Sequence, residues 1–345
     1  MKQSKILFIL KIKQNYGATN DYSIRLSTGL YNSAQFMNEM LIDGGFDSQM
    51  VSVIDNNDID REVTLHKPTH VIIEALWVVP SKFELLCKLH PNVKWVIRLH
   101  SEIPFLANEG MAMDWIGEYS KYDNVIISCN SPQTTKDIEF FIRAKTGIDK
   151  KIVFLPNFYP QEYKTKLFNK KSDIIHVGCF GAVRPLKNHL IQAVAAIKFA
   201  DELGKKLHFH INSDRIEQKG EPILNNLLGM FNHLEHKGHQ LVHHEWSVRE
   251  EFIQLCSTMD IGIQISFNET FNIVGADVIS QGVPLVSSPE IPWANSLFTA
   301  RQTNTDDIVN SLLCTYKYPK INVLLNQRGL KQYTNKTKKI WFKFF

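Results

Sequence analysis

The stretch Asn268-Glu-Thr-Phe-Asn-Ile-Val-Gly-Ala-Asp277-Val-Ile-Ser-Gln-Gly282-Val-Pro284 decides how the rest of the chain is read. It follows an apolar run, Asp260-Ile-Gly-Ile-Gln-Ile-Ser266, so Glu269 is delivered from the end of a strand into a turn. Asp277 then falls on a helix that Gly282 closes. Two acids beside the free N–H groups of a helix start suit a phosphate or a sugar hydroxyl. The same residues also fit an ordinary strand-to-helix connection in an α/β core, and spacing alone leaves both open.

Upstream, Gly178-Cys-Phe-Gly-Ala-Val-Arg184-Pro-Leu-Lys187-Asn188 shows a strand ending in a glycine turn, with two cations three residues apart just before a helix. Arginine offers a planar fork and lysine a mobile point charge, which together clamp a diphosphate from two directions. The bland alternative is a pair of exposed basic residues. Positive charge is mildly unfavourable at a helix start, and that misfit points to an anion nearby.

Around these two stretches the chain alternates β-rich runs with helical patterns. Strands are expected at Lys5–Ile12, Asp47–Ile54, His70–Leu76, Lys94–Leu99 and Asn124–Cys129, with helices at about Ile24–Gly44, Pro80–Leu89 and Ala107–Tyr119. The lysine-rich segment 161–173 has no apolar period and reads as a linker. Alternation then resumes with strands at Ile174–Phe180, Leu207–Ile211, Leu241–His244, Asp260–Ser266 and Pro284–Ser287. Helices are expected at His189–Leu203, Ile223–Leu234 and Val248–Ser257. Parallel strands need crossover helices, so the expectation is an α/β fold of two doubly wound Rossmann-like domains. Their boundaries are 1–160 and 174–330, with a helix over 331–345 crossing back to the first domain. Ligands sit beyond the carboxyl ends of such strands, so the cleft between the domains is the expected site.

Composition bounds the rest. At 345 residues, 44% hydrophobic and 21% charged, the chain is an ordinary globular protein of two-domain length. No apolar run reaches a membrane span, and Ile6–Leu10 is too short for a signal-peptide core, so a cytoplasmic protein without stable membrane insertion is expected. Five scattered cysteines match no metal pattern and suggest reduced thiols. From Ile308 onward there are eight basic residues and no acidic one, so the remainder of the +4 chain sums to −4. This basic tail, carrying Trp341, Phe342 and Phe345, fits either a phosphate-contacting segment or a docking helix with a solvated face. His176, His208 and His210 read as structural strand residues. His233, His236, His239, His243 and His244 match no zinc spacing, and no metal or other cofactor is expected.

The motif set resembles the retaining glycosyltransferases of family 4, which have the GT-B architecture. The likeness rests on the Gly181…Lys187 turn with Arg184 and Lys187, on Glu269, seven residues and Asp277, and on Gly282-Val-Pro284. It implies that a nucleoside-diphosphate sugar is the donor, bound by Arg184 and Lys187. It also implies that Glu269 contacts the donor sugar, that backbone amides around Phe271, Asn272, Ile273 and Val274 receive sugar hydroxyls and phosphate, and that Asp277 holds the ribose hydroxyls. In the first domain Gly17 resembles the glycine loop beside the diphosphate, and His100 the histidine beside the sugar. Asp277 stands where the family usually has glutamate, and Asn272 where it often has glycine. The acceptor would be read by the first domain, around 100–118, and hydroxymethylated bases in DNA or a glycan are the candidates. A GT-B sugar-nucleotide epimerase and a non-catalytic sugar-nucleotide binder are the alternatives.

Overall fold

The computed structural model describes residues 4–12, 29–168 and 172–345. Among them the chain divides into two compact units. The first holds 4–12, 29–160 and 334–345, and the second 161–168 and 172–333.

The first unit runs β1 (Lys5–Lys11), α1 (Gly29–Asp43), β2 (Asp47–Val53), α2 (Asp58–His66), β3 (His70–Glu74), α3 (Lys82–Leu89), β4 (Lys94–Leu99), α4 (Ile103–Leu106), α5 (Ala112–Tyr119), β5 (Val125–Cys129), α6 (Pro132–Thr146) and β6 (Val153–Phe154). Its six strands are ordered β2-β1-β3-β4-β5-β6, and every pairing is parallel. Leu7, Ile9, Val71, Ile73, Trp95 and Ile97 feed one core, and Ile6, Phe8, Leu10, Ile72 and Val96 another on the opposite face. Burial on both faces is why these strands read as unbroken apolar runs rather than as alternation.

The second unit runs β7 (Ile174–Gly178), α7 (His189–Glu202), β8 (Lys206–Asn212), α8 (Glu221–Asn232), β9 (Gln240–His244), α9 (Arg249–Thr258), β10 (Ile261–Gln264), α10 (Ile273–Ser280), β11 (Leu285–Ser287), α11 (Thr305–Lys317) and the part of α12 (Pro319–Phe344) that precedes Thr334. Its sheet order is β11-β10-β7-β8-β9, again all parallel. The chain winds outward from β7 through β8 to β9, then returns to lay β10 on the other side of β7. The strand order therefore reverses between β7 and β10, which is where open α/β sheets bind ligands.

Several elements differ from the sequence expectation. The expected 107–119 helix starts only at Ala112, as α5, and the short α4 precedes the expected range. The expected linker does not stand clear of the second unit: the N–H of Lys164 donates to the Ser280 carbonyl at 2.7 Å. Gly282, at φ +74°, lies so close to that segment that a Cβ would sit 2.7 Å from the Lys164 carbonyl oxygen. The C-terminal helix begins at Pro319 rather than 331. Its inner face is lined in part by buried Asn322, Asn326, Thr334 and Thr337, which carry no hydrophobic period.

Residues from 334 onward belong to the first unit, where the basic tail's aromatics are spent on packing. Trp341 is fully buried, with its Nε1–H donating to the Pro156 carbonyl at 2.8 Å, and Phe342 lies 5.2 Å from Phe46. The lysines at 336, 339 and 343 stay exposed. No helix among the described residues is long and apolar enough to cross a membrane.

Candidate functional site

The two motif loops of the second unit leave the sheet on either side of the reversal, one after β7 and one after β10. Gly181 adopts φ +113°, a conformation that costs glycine least, and its N–H donates to the Asn212 side chain at 3.0 Å. The backbone then enters a single 3-10 turn, Pro185–Lys187, with Arg184 at its start. Asn188, at φ +60°, ends that turn, and its side-chain amide donates to the carbonyls of Ile265 at 3.0 Å and Gln302 at 2.9 Å. The Phe267 N–H donates to the Leu186 carbonyl at 2.9 Å, which ties the loop after β10 to the turn.

These ties bring the side chains together. Lys187 Nζ lies 2.5 Å from Glu269 Oε1, with only 12% and 10% of the two side chains exposed. Asn272 Nδ2 donates to the same carboxylate oxygen at 3.0 Å and to Gln264 Oε1 at 3.0 Å. Asn272 also caps α10, its Oδ1 accepting from the Gly275 N–H at 2.6 Å. Its backbone is left-handed at φ +62°. Asparagine is the side chain that best tolerates this region after glycine, which is a physical reason for it to stand where the resembled family often has glycine. Ile273 and Val274 form the first turn of α10, whose N–H groups have no acceptor within the helix.

Arg184 is held by Glu217 at 3.3 Å, and Glu217 is shared with Arg215 at 2.7 Å. Each cation of the turn thus has an acidic partner. Behind the turn, His189 is buried, and among the described residues neither ring nitrogen has a hydrogen-bond partner. Burial, reinforced by Lys187 and Arg184, pushes its pKa down to about 3, so it adds no third positive charge. The Cys179 thiol is pushed up to about 12 by burial and stays protonated.

Phe271 and Asp277 are both buried. The Phe271 carbonyl accepts from Trp293 Nε1 at 2.7 Å. Asp277 is paired with Arg249 at 2.6 Å, so its carboxylate is already engaged. Sequence reasoning missed Glu217, Arg249 and Trp293. No motif marks them, and their partners lie from 22 to 33 positions away.

In the first unit, His100 follows β4 and its Nε2 bonds Glu74, the last residue of β3. Glu74 also receives Arg98 at 3.1 Å, and Arg98 donates to Asn157 Oδ1 at 2.5 Å; both charged residues are fully buried. Burial alone would raise the Glu74 pKa, but Arg98 and His100 outweigh it and hold the carboxyl below its usual range. Burial and then Arg98 lower the His100 pKa, against the opposing pull of Glu74. A signal for this cluster was present: a glutamate and an arginine inside otherwise apolar strands must find partners. In the segment expected to read the acceptor, Met111 and Glu109 are both exposed, and partial desolvation raises the Glu109 pKa. Gly17 lies outside the described residues.

No protein-family model matches the sequence, and no curated protein matches it. Solved structures do. Sucrose-phosphate synthase from Thermosynechococcus elongatus superposes with a TM-score of 0.70 at 10% identity, covering 99% of this chain and 98% of that one. An α,α-trehalose-phosphate synthase (UDP-forming) from Burkholderia vietnamiensis gives 0.66 at 10% identity, covering 99% and 96%. Anabaena HepE, solved with UDP and glucose, gives 0.65 at 12% identity, covering 99% and 98%. At such identities the likeness concerns the fold: this chain has the GT-B glycosyltransferase fold over nearly its whole length.

Proposed function

We propose that the chain is a retaining glycosyltransferase that moves a sugar from a nucleoside diphosphate to an acceptor hydroxyl. The observation that carries this reading is the meeting of Lys187 and Glu269 at 2.5 Å, from loops on the two sides of the strand-order reversal. A fold can keep its reversal without function. A lysine and an acid brought together there, next to a helix start and an arginine, are the parts a sugar diphosphate needs.

In this reading the diphosphate displaces Glu269 from Lys187 and Glu217 from Arg184. The cations then sit on the oxygens that gain charge as the bond from the anomeric carbon to the diphosphate breaks, where electrostatic stabilisation acts most strongly. Glu269, released from the lysine and still held by Asn272, turns to the sugar hydroxyls. The first-turn amides of Ile273 and Val274 receive phosphate or hydroxyl oxygen. Asp277 is assigned to the ribose hydroxyls, with Arg249 as the partner that orients it. His100, braced by Glu74, is assigned to sugar orientation on the resemblance alone. Because HepE was solved with UDP and glucose, UDP-sugars are the first donors to try.

The test is product analysis with a panel of labelled nucleotide sugars, offered with hydroxymethylated DNA and with glycan acceptors. Transfer of label to an acceptor, lost in Lys187→Met, supports the proposal. Isomerised nucleotide sugar as the only product would replace it with an epimerase, and binding without turnover of any donor would reduce it to a sugar-nucleotide binder.

A further inference from the structure

Side chains alternate between the two faces of a strand, and in the second sheet the alternation sorts chemistry. Ile175 and Val177 of β7, with Leu207, Phe209 and Ile211 of β8, face the core formed with α7, α8 and α11. His176, His208 and His210 take the opposite face, with His176 in register with His208. One ring nitrogen from each of the three lies within 4.8 Å of the others, and among the described residues no other group of three or more His, Cys, Asp or Glu side chains is so disposed. His176 Nδ1 is 2.9 Å from His210 Nε2, and His210 Nδ1 is 2.8 Å from Nε2 of His244 on β9.

Such a row is unusual in its partners. His90, His100 and His239 each meet a carboxylate. By contrast His176, His210 and His244 hydrogen-bond one another, and the His208 ring stands edge-on to His176 at 5.0 Å. Crowded imidazoles cannot share protonation cheaply. Burial, with the neighbouring rings, pushes His210 down to about 3, and burial followed by His176 lowers His208. Neutral rings keep the lone pairs that a metal needs.

We propose that His176, His208 and His210 form a binding site for one divalent transition-metal ion of the imidazole-preferring class, Zn²⁺ foremost. Two nitrogens about 2.1 Å from a tetrahedral ion are about 3.4 Å apart. The present separations, 2.9 Å for one pair and within 4.8 Å for all three, bracket that value, so small ring rotations suffice. If His210 donates Nδ1–H to His244, its Nε2 is free to ligate, and His244 is the positioning partner that fixes the tautomer. The proton of His176 then moves to its outward nitrogen, so the ion replaces one hydrogen bond and no ring changes charge. Water takes the fourth position. The bound ion cross-links β7 to β8 and takes no part in the transfer proposed above.

The test is Zn²⁺ titration of chelator-stripped protein by calorimetry, with metal counted after dialysis, and a second titration with Co²⁺ followed by visible absorption. Expected are one ion per chain, the intense bands of a tetrahedral Co²⁺ site, loss of both in His208→Ala, and binding about tenfold or more weaker in His244→Ala. The proposal is overturned if the unsubstituted protein binds no stoichiometric Zn²⁺ and gives no tetrahedral Co²⁺ spectrum. It is equally overturned if His176→Ala and His208→Ala, with circular dichroism confirming their fold, bind as the parent does. The ion would then belong to exposed histidines such as His233 and His236.

Discussion

Replacing Lys187 with methionine removes an ammonium group while keeping most of the stem, and its cost follows from what is left behind. Glu269 loses the partner at 2.5 Å in a place where only a tenth of either side chain is exposed. Removing one member of a fully buried pair costs about 3–5 kcal/mol, because the survivor stays desolvated and uncompensated. Glu269 keeps a hydrogen bond from Asn272 and some solvent, so a loss of about 2–3 kcal/mol is expected. Substituting Glu269→Gln as well removes the stranded charge. The double variant should therefore lose less than the sum of the singles, with a coupling energy of about 1–2 kcal/mol. Urea unfolding of the four proteins measures this cycle. Repeating it with a nucleoside diphosphate present separates architecture from function, because a ligand that binds only the folded state raises apparent stability. The parent and Glu269→Gln should both gain, since Glu269→Gln frees the lysine for phosphate, while Lys187→Met should gain little. Single losses that add to within about 0.5 kcal/mol, together with equal ligand stabilisation in all four proteins, would refute the reasoning.

Other predictions test the surroundings. Asn272→Ala loses the α10 cap and leaves a β-carbon in a left-handed backbone without the short polar side chain that lets asparagine tolerate it, so it should cost about 2–3 kcal/mol, whereas Asn272→Gly removes that β-carbon and should cost about 1 kcal/mol or less; equal losses in urea unfolding would contradict this. His189, with a folded pKa of about 3, takes up a proton in the unfolded chain first. Its contribution is intact above about pH 6.5 and shrinks as pH falls, by about 2 kcal/mol at pH 5, so His189→Leu should flatten the stability profile by about that amount between pH 7 and 5. An unchanged slope would show that the ring is not kept neutral. Glu74→Gln leaves Arg98 buried beside a neutral amide and should destabilise the protein by about 3–5 kcal/mol, read by urea unfolding, with a loss under 1 kcal/mol counting against the buried cluster.

What the sequence disclosed followed from local chemistry. The strands could be read because burial on both faces makes Phe8 and its neighbours, or Val96 and Ile97, continuous apolar runs. The turn after β7 could be read because Gly181, Arg184 and Lys187 lie within seven residues of one another. Helix α6 was missed although its punctuation was present: Ser131 at the cap, Pro132 in the first turn and Gly147 in left-handed conformation after the end. Helix α2 was missed because only Ile59 and Val63 are buried along it, too few to set a period. In the site, the pairing of Glu269 with Lys187 joins residues 82 positions apart, and that of Arg184 with Glu217 joins residues 33 apart. Such pairings depend on sheet order, and no local pattern encodes it. The motif pointed to Asp277, but its partner Arg249 became visible only when α9 and α10 packed together.

The central claim is that the loops after β7 and β10 hold a pyrophosphate, and a crystal structure with a nucleoside diphosphate bound tests it most directly. The account predicts phosphate oxygens within hydrogen-bond reach of Lys187 Nζ and the Arg184 guanidinium, with Glu269 and Glu217 turned away from their present partners. A diphosphate seated elsewhere, with the Lys187–Glu269 pair still closed, would contradict it.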